Sequence, residues 1–198
     1  MVFLEIAPGI QHTDWLRLNL KDDSIKDWKY AINILKKRIE NRYIEPIDIL
    51  LAIEKKIQPK YRKYGFTILA IDCLLIETLH AFIKGWESTE NKSKRAFKEF
   101  LTTSPSFKKH FSEDLAIKFY YDYRCGILHQ AETIGESFIW SVGPLIRVEN
   151  NKMIINRTRF HNLVKKDFYI YLEKLKNRKN KQIRNNFRRK MDNICGKN

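Results

Sequence analysis

Residues 64–84 constrain the fold more than any other stretch of this chain. Between Tyr64 and Lys84 the apolar side chains Ile68, Leu69, Ile71, Leu74, Leu75, Ile76, Leu79, Phe82 and Ile83 cover every direction of a helical wheel. A helix that is apolar all round has to be surrounded, by protein or by lipid. Asp72, Glu77 and His80 lie inside the longest apolar stretch, Phe66 to Ile83, which argues for a buried core helix rather than a bilayer span. Gly85 suits the position just past its end. A chain of 198 residues, 43% hydrophobic and 13% aromatic, can bury one sizeable core of this kind. One mostly helical domain is therefore expected over residues 1–175, with 176–198 as a basic C-terminal tail.

The remaining periodicities supply the partners. From Ser24, a good N-cap, Ile25, Trp28, Ile32, Leu35 and Ile39 make one stripe on a helix expected to end near Tyr43. A second helix is expected from Pro46 to about Ile57. A short helix near 94–101 follows, then Ser104-Pro105 as a further start signal. Ser112 caps a helix expected over Glu113 to Arg124. The period then changes. Ser137 to Val142, Leu145 to Glu149 and Lys152 to Asn156 read as short strands separated by Gly143-Pro144 and Asn150-Asn151, a small meander or hairpin insertion near residues 137–156. A last helix places Phe160, Val164, Phe168, Tyr171, Leu172 and Leu175 on one face. The fold class is mainly α.

The segment from Met1 to Ile10 lacks a basic n-region and meets Asp14 soon after, so it does not read as a signal peptide. Cys73, Cys125 and Cys195 are far apart and form no C-x-x-C pair, which fits reduced thiols. The expectation is a cytoplasmic protein with no membrane association. No carboxylate or His/Cys cluster has metal-binding spacing, so neither metal nor cofactor is expected.

The formal charge of +15 favours polyanionic partners, RNA or DNA ahead of an anionic membrane. Nine Lys or Arg and no acid fall between Lys174 and Lys190, among them Lys179, Lys181, Arg184, Arg188, Arg189 and Lys190. These six are the candidate nucleic-acid contacts; a solvated tail is the plainer reading.

The pair with chemical content is Arg124-Cys-Gly-Ile-Leu-His129, preceded by Phe119-Tyr-Tyr-Asp-Tyr123. With 13 arginines and 5 histidines in the chain, a gap of four to six residues arises about once by chance, so the setting has to carry the weight. On an unbroken helix, positions five apart differ by about 140° and do not share a face. Something must bend, and Gly126 offers the freedom.

This motif, after a helix and within a helical chain that has an acid-bearing buried helix upstream, resembles the R-x4-6-H signature of the HEPN superfamily. The resemblance covers roughly residues 24–135. It implies a HEPN-like helical bundle and a metal-independent endoribonuclease of the kind found in toxin-antitoxin, abortive-infection and CRISPR-linked defence. It also implies a homodimer in which Arg124 and His129 of two protomers meet in one composite site. An antitoxin or regulatory protein is a possible further partner. Family members without the motif serve as binding modules, so a non-catalytic nucleic-acid or partner-protein module is the alternative.

The chemistry is consistent with that reading. RNA carries its own nucleophile, the 2′-hydroxyl, and needs a base, an acid for the leaving 5′-oxygen, and positive charge at the phosphorus. Histidine serves the first or second role, and the arginine fork suits phosphate oxygens. The plainer readings are a histidine packed at a helix end and an Arg124 salt bridge to Asp122 or Glu132. Asp72 and Glu77, on the most apolar helix, need partners. One of them, Glu77 in preference, can orient Arg124 or His129, and otherwise each makes a core salt bridge or a bond to a tyrosine. Tyr120, Tyr121 and Tyr123 can stack bases or pack.

Overall fold

The computed structural model describes residues 4–21 and 24–197; the extreme ends of the two expected units, residues 1–3 and 198, lie outside the described residues. The fold is mainly α. A hairpin of β1 (Glu5–Ala7) and β2 (Ile10–Gln11) leads into a short helix α1 (His12–Leu16). None of these three was expected, because elements this short carry no period.

Helix α2 (Ile25–Ile39) continues through a π-helical turn (Glu40–Ile44) into α3 (Glu45–Glu54). The two helices expected here are thus one rod with a wide turn in it. Pro46 supplies the reason: it has no N–H for the carbonyl four residues back, and its ring crowds that carbonyl. Opening one turn relieves both problems.

Helix α4 (Gly65–Lys84) is the expected core helix, with Ile68, Leu69, Leu75, Ile76, Leu79 and Phe82 buried. It is long and apolar enough to cross a membrane, yet 56% of that apolar window is buried inside the molecule. Leu74 and Phe66 remain exposed on one side, so the helix is not covered all round. Gly85 ends it in the left-handed region with φ 66°. Trp86 N–H bonds to the Ala81 carbonyl and Gly85 N–H to the Phe82 carbonyl, the two bonds of a Schellman ending.

After α5 (Ser93–Thr103), the segment at Ser104-Pro105 forms turns rather than a helix. Ser112 then caps α6 (Glu113–Phe119) by accepting from Leu115 N–H. This helix runs on through a second π-helical turn (Tyr120–Cys125) into α7 (Gly126–Gln130), beyond the expected end at Arg124.

The β insertion is real, but it is not a meander. β3 (Phe138–Trp140), β4 (Ile146–Glu149) and β5 (Lys152–Asn156) pair in the order β3-β5-β4, with β3 parallel to β5. Asn150 and Asn151, both at positive φ, make the tight turn that joins β4 to β5. Tyr123 sits where β3 and β5 meet the motif helix. Its hydroxyl lies 2.7 Å from the Met153 carbonyl and 3.0 Å from that of Phe138, its one hydrogen shared between them, which links the motif helix to both strands.

Helix α8 (Arg157–Lys176) begins at Asn156, whose side chain accepts from Thr158 and Arg159 N–H. Phe160 stacks on Phe119 with centroids 4.9 Å apart, and Phe107 and Tyr123 extend the cluster. A second aromatic group joins Trp15, Trp28 and Phe82 around Phe187.

Phe187 belongs to the segment expected as a basic tail, and that expectation is corrected here. Residues Lys181–Cys195 form helix α9, with Phe187 and Met191 fully buried. The basic side chains have structural work. Arg189 donates to the Gly85 and Lys84 carbonyls, Asn186 to Ile83, and Lys190 to Glu87. These carbonyls lie at and just beyond the C-terminus of α4, where helix carbonyls lack intrahelical partners and cations are favoured.

Candidate functional site

Two elements build the site around the motif. α4 contributes Glu77 and the π-helical turn contributes Arg124, with Arg124 Nε donating to Glu77 Oε1 at 2.8 Å. Both side chains are largely enclosed, at 19% and 11% exposed. Burial works against the guanidinium charge, but the hydrogen bond and charge of Glu77 outweigh it and raise the Arg124 pKa above its ordinary value. The Arg124 guanidinium also lies over the Tyr120 ring, 5.7 Å from its centroid. Three of its neighbours are therefore set: an acid behind it, a ring beneath it and the imidazole in front.

Arg124 Nη1 stands 3.5 Å from His129 Nε2 within the same chain. His129 is exposed. An arginine N–H donates only to a lone pair, so a hydrogen bond across this gap requires Nε2 to be the acceptor.

The bend that permits this is not supplied by Gly126. Gly126 has ordinary helical angles, φ −58° and ψ −54°. The wide turn before it does the work: Gly126 N–H reaches back five residues to the Tyr121 carbonyl. That turn, with the reach of the arginine side chain, brings guanidinium and imidazole together. Gly126 serves a different purpose. A Cβ at this position would lie 2.4 Å from the Glu132 carbonyl oxygen and 3.1 Å from Ile134 Cγ1. Its bare backbone lets residues 132–134 fold back against the helix, where Ile134 N–H bonds to the Asp122 carbonyl.

The alternatives for each residue now separate. Asp122 is engaged by Lys118 and by the Ser137 hydroxyl, and Glu132 accepts from its own neighbour Thr133, so Glu77 is the acid that holds Arg124. Asp72 is corrected. It lies fully buried against His161 Nδ1 at 2.8 Å, on another side of α4, and does not support the motif. Burial raises its pKa to about 6 despite the His161 hydrogen bond and charge, which lower it. Five residues separate 72 from 77, which places them about 140° apart on the helix.

Tyr123 is fully buried and unavailable to a base, whereas Tyr121 is exposed beside the motif. Lys94 from α5 donates to the Tyr121 hydroxyl at 3.1 Å and lies over its ring. Nothing in the sequence pointed to Lys94, because α5 and the motif helix meet only in three dimensions.

The six basic candidates do not act as one set. Arg184 is 3% exposed and stacks on Trp28 at 3.6 Å, and Arg189 and Lys190 serve the α4 terminus, so these three are corrected to structural roles. Lys179, Lys181 and Arg188 remain exposed. Among the described residues no group of three His, Cys, Asp or Glu stands together as a metal site. Comparison with protein-family models, curated proteins and solved structures finds no match to this chain.

Proposed function

We propose that this chain is an endoribonuclease of HEPN type that cleaves RNA without metal, at a site built from Arg124 and His129. One observation carries the reading: an arginine anchored by a largely buried acid presents a free edge of its fork to an exposed imidazole. Glu77 takes Nε, Nη1 lies against His129, and the outer edge of the fork faces where phosphate oxygens would sit in the proposed complex.

In the proposed reaction the 2′-oxygen bonds to phosphorus, the bond from phosphorus to the 5′-oxygen breaks, and a 2′,3′-cyclic phosphate remains. One histidine takes the 2′-hydroxyl proton while a second supplies a proton to the departing oxygen. Arg124 balances charge on the phosphorane-like transition state. A single protomer has one such histidine, so the proposal includes a homodimer in which a second His129 completes the site. Leu74 on α4, three residues before Glu77, with Tyr121 and Leu128 on the motif helix, are large side chains left exposed. They suit burial against a second copy better than contact with water. A role as a toxin or antiphage-defence effector is part of the same proposal.

The test is product analysis after incubation with RNA in excess chelator. Fragments ending in 2′,3′-cyclic phosphate and starting with a 5′-hydroxyl support the reading. Products with 5′-phosphate ends would count against it, since the 2′-hydroxyl would not then be the nucleophile.

A further inference from the structure

A second site lies at the other end of α4, where the chain before Gly65 meets the start of α8. A cavity of about 350 Å³ opens there, with Glu54, Arg62, Ser141, Arg157, Asn162 and Lys165 in its walls. Arg157 is its least ordinary member. The side chain is 2% exposed, its Nη2 is held by Glu54, and its Nη1 has no hydrogen-bond partner among the described residues. A buried guanidinium N–H without an acceptor is costly, so an acceptor brought to Nη1 would gain a charge-assisted hydrogen bond.

The charges around it are unbalanced. Asp48 and Glu54 face Lys55, Arg62, Arg157 and Lys165, a formal excess of two positive charges. Both acids are already engaged. Glu54 accepts from Arg157 and from the N–H groups of Lys63 and Tyr64, while Asp48 is paired with Lys165. Arg62, by contrast, donates to neutral acceptors, the Ile57 carbonyl and the Ser141 hydroxyl, and among the described residues it has no ion pair. A dianion such as a phosphate monoester would match the excess.

An adjoining cavity of about 360 Å³ shares Arg62, Ser141 and Arg157 and is otherwise lined by Lys60, Gly65 and the apolar side chains Pro59, Ile139, Trp140 and Val142. Each volume falls in the range of small-ligand sites, which are commonly apolar with a few placed polar groups. Trp140 is 41% exposed next to the cations; the Arg147 guanidinium lies over one face of its ring, 4.7 Å from the centroid, which leaves the opposite face for a ligand.

We infer that these adjoining cavities bind a small phosphate monoester of nucleotide size, its phosphate on Arg62 and Arg157 and its ring on the face of Trp140 opposite Arg147. The site is distinct from the Arg124 and His129 pair. Gly65 and Glu77 are twelve residues apart on α4, roughly 18 Å along the helix axis. Whether the chain cleaves RNA does not enter the inference.

The probes are adenosine 5′-monophosphate, inorganic phosphate and adenosine, titrated calorimetrically into the full chain. The expected result is that the monophosphate binds at least 10-fold more tightly than adenosine. Arg62→Ala weakens it at least 10-fold, and Trp140→Ala weakens the monophosphate without changing inorganic phosphate. Lys165→Ala, at a partly exposed position, keeps the test valid if Arg62→Ala fails to fold, and it too weakens binding by leaving Asp48 unneutralised. Arg124→Ala leaves monophosphate binding unchanged. No heat from the monophosphate at millimolar concentration would overturn the inference. So would binding that survives Arg62→Ala and Lys165→Ala but is lost in Arg124→Ala, because the ligand would then occupy the motif site.

Discussion

Glu77 and Arg124 meet because each needs the other. A carboxylate on an apolar helix and a guanidinium beneath a turn are both expensive to enclose alone, and at 2.8 Å they satisfy one another. In the proposed nuclease Glu77 is a positioning residue acting through Arg124. Glu77→Ala should lower kcat for RNA cleavage about 10- to 100-fold with little change in KM, the equivalent of one charge-assisted hydrogen bond; steady-state kinetics on a short RNA measure it. Gly126→Ala tests the backbone instead. With the Glu132 oxygen 2.4 Å from the new Cβ, urea unfolding should show a loss of about 1–3 kcal/mol, the usual cost of overpacking. His80 provides a pH test. It is 3% exposed, and burial holds its pKa down to about 4 even though Glu99 beside it pulls upward. The unfolded chain takes up this proton near pH 6.5 and the folded chain only near 4, so stability present above 6.5 falls as pH drops through that window. Asp72, raised to about 6, works in the opposite direction between about 4 and 6. The readout is therefore the difference between wild type and His80→Gln, with wild type losing about 2 kcal/mol more from pH 7 to pH 5.

At the level of elements, what was legible in the sequence had local causes. Gly85 and Ser112 end and start helices through bonds to their own neighbours, and such signals survive without tertiary context. The apolar wheel of α4 was legible for the same reason, and its demand for ion partners made Glu77 a candidate. The rest depended on contacts far apart in sequence. The π-helical turn at Tyr120–Cys125 has no propensity signature, so the bend was assigned to Gly126. The order β3-β5-β4 rests on a parallel pairing of β3 with β5, strands that are not consecutive in the chain, which no strand pattern records. Helix α9 was hidden by its charge. Its basic residues read as a solvated run until the exposed carbonyls at the end of α4 are placed against them. Phe187→Ala should cost about 3–5 kcal/mol, and a chain ending at residue 176 should lose cooperative thermal unfolding by circular dichroism. A truncated chain that melts like the full one would contradict the packing of α9.

For the whole molecule, half of the six basic positions singled out in the C-terminal run support the fold, and Lys179, Lys181 and Arg188 are left at the surface. Binding of uncleaved single-stranded RNA by an inactive His129→Ala chain should weaken with salt at a logarithmic slope of about −0.7 per phosphate contact. Replacing Lys179 and Arg188 together should make that slope shallower. Dimerisation and cleavage are linked in the proposal, so sedimentation should find a dimer that Leu74→Asp and Leu128→Asp weaken, with activity falling alongside. The most direct measurement is single-turnover cleavage of RNA in excess EDTA by wild type, Arg124→Ala and His129→Ala. The account predicts cleavage by wild type, with each variant at least 100-fold slower while its thermal unfolding still shows a folded chain. Cleavage that persists at the wild-type rate in either variant, or intact RNA with the wild-type protein, would contradict it.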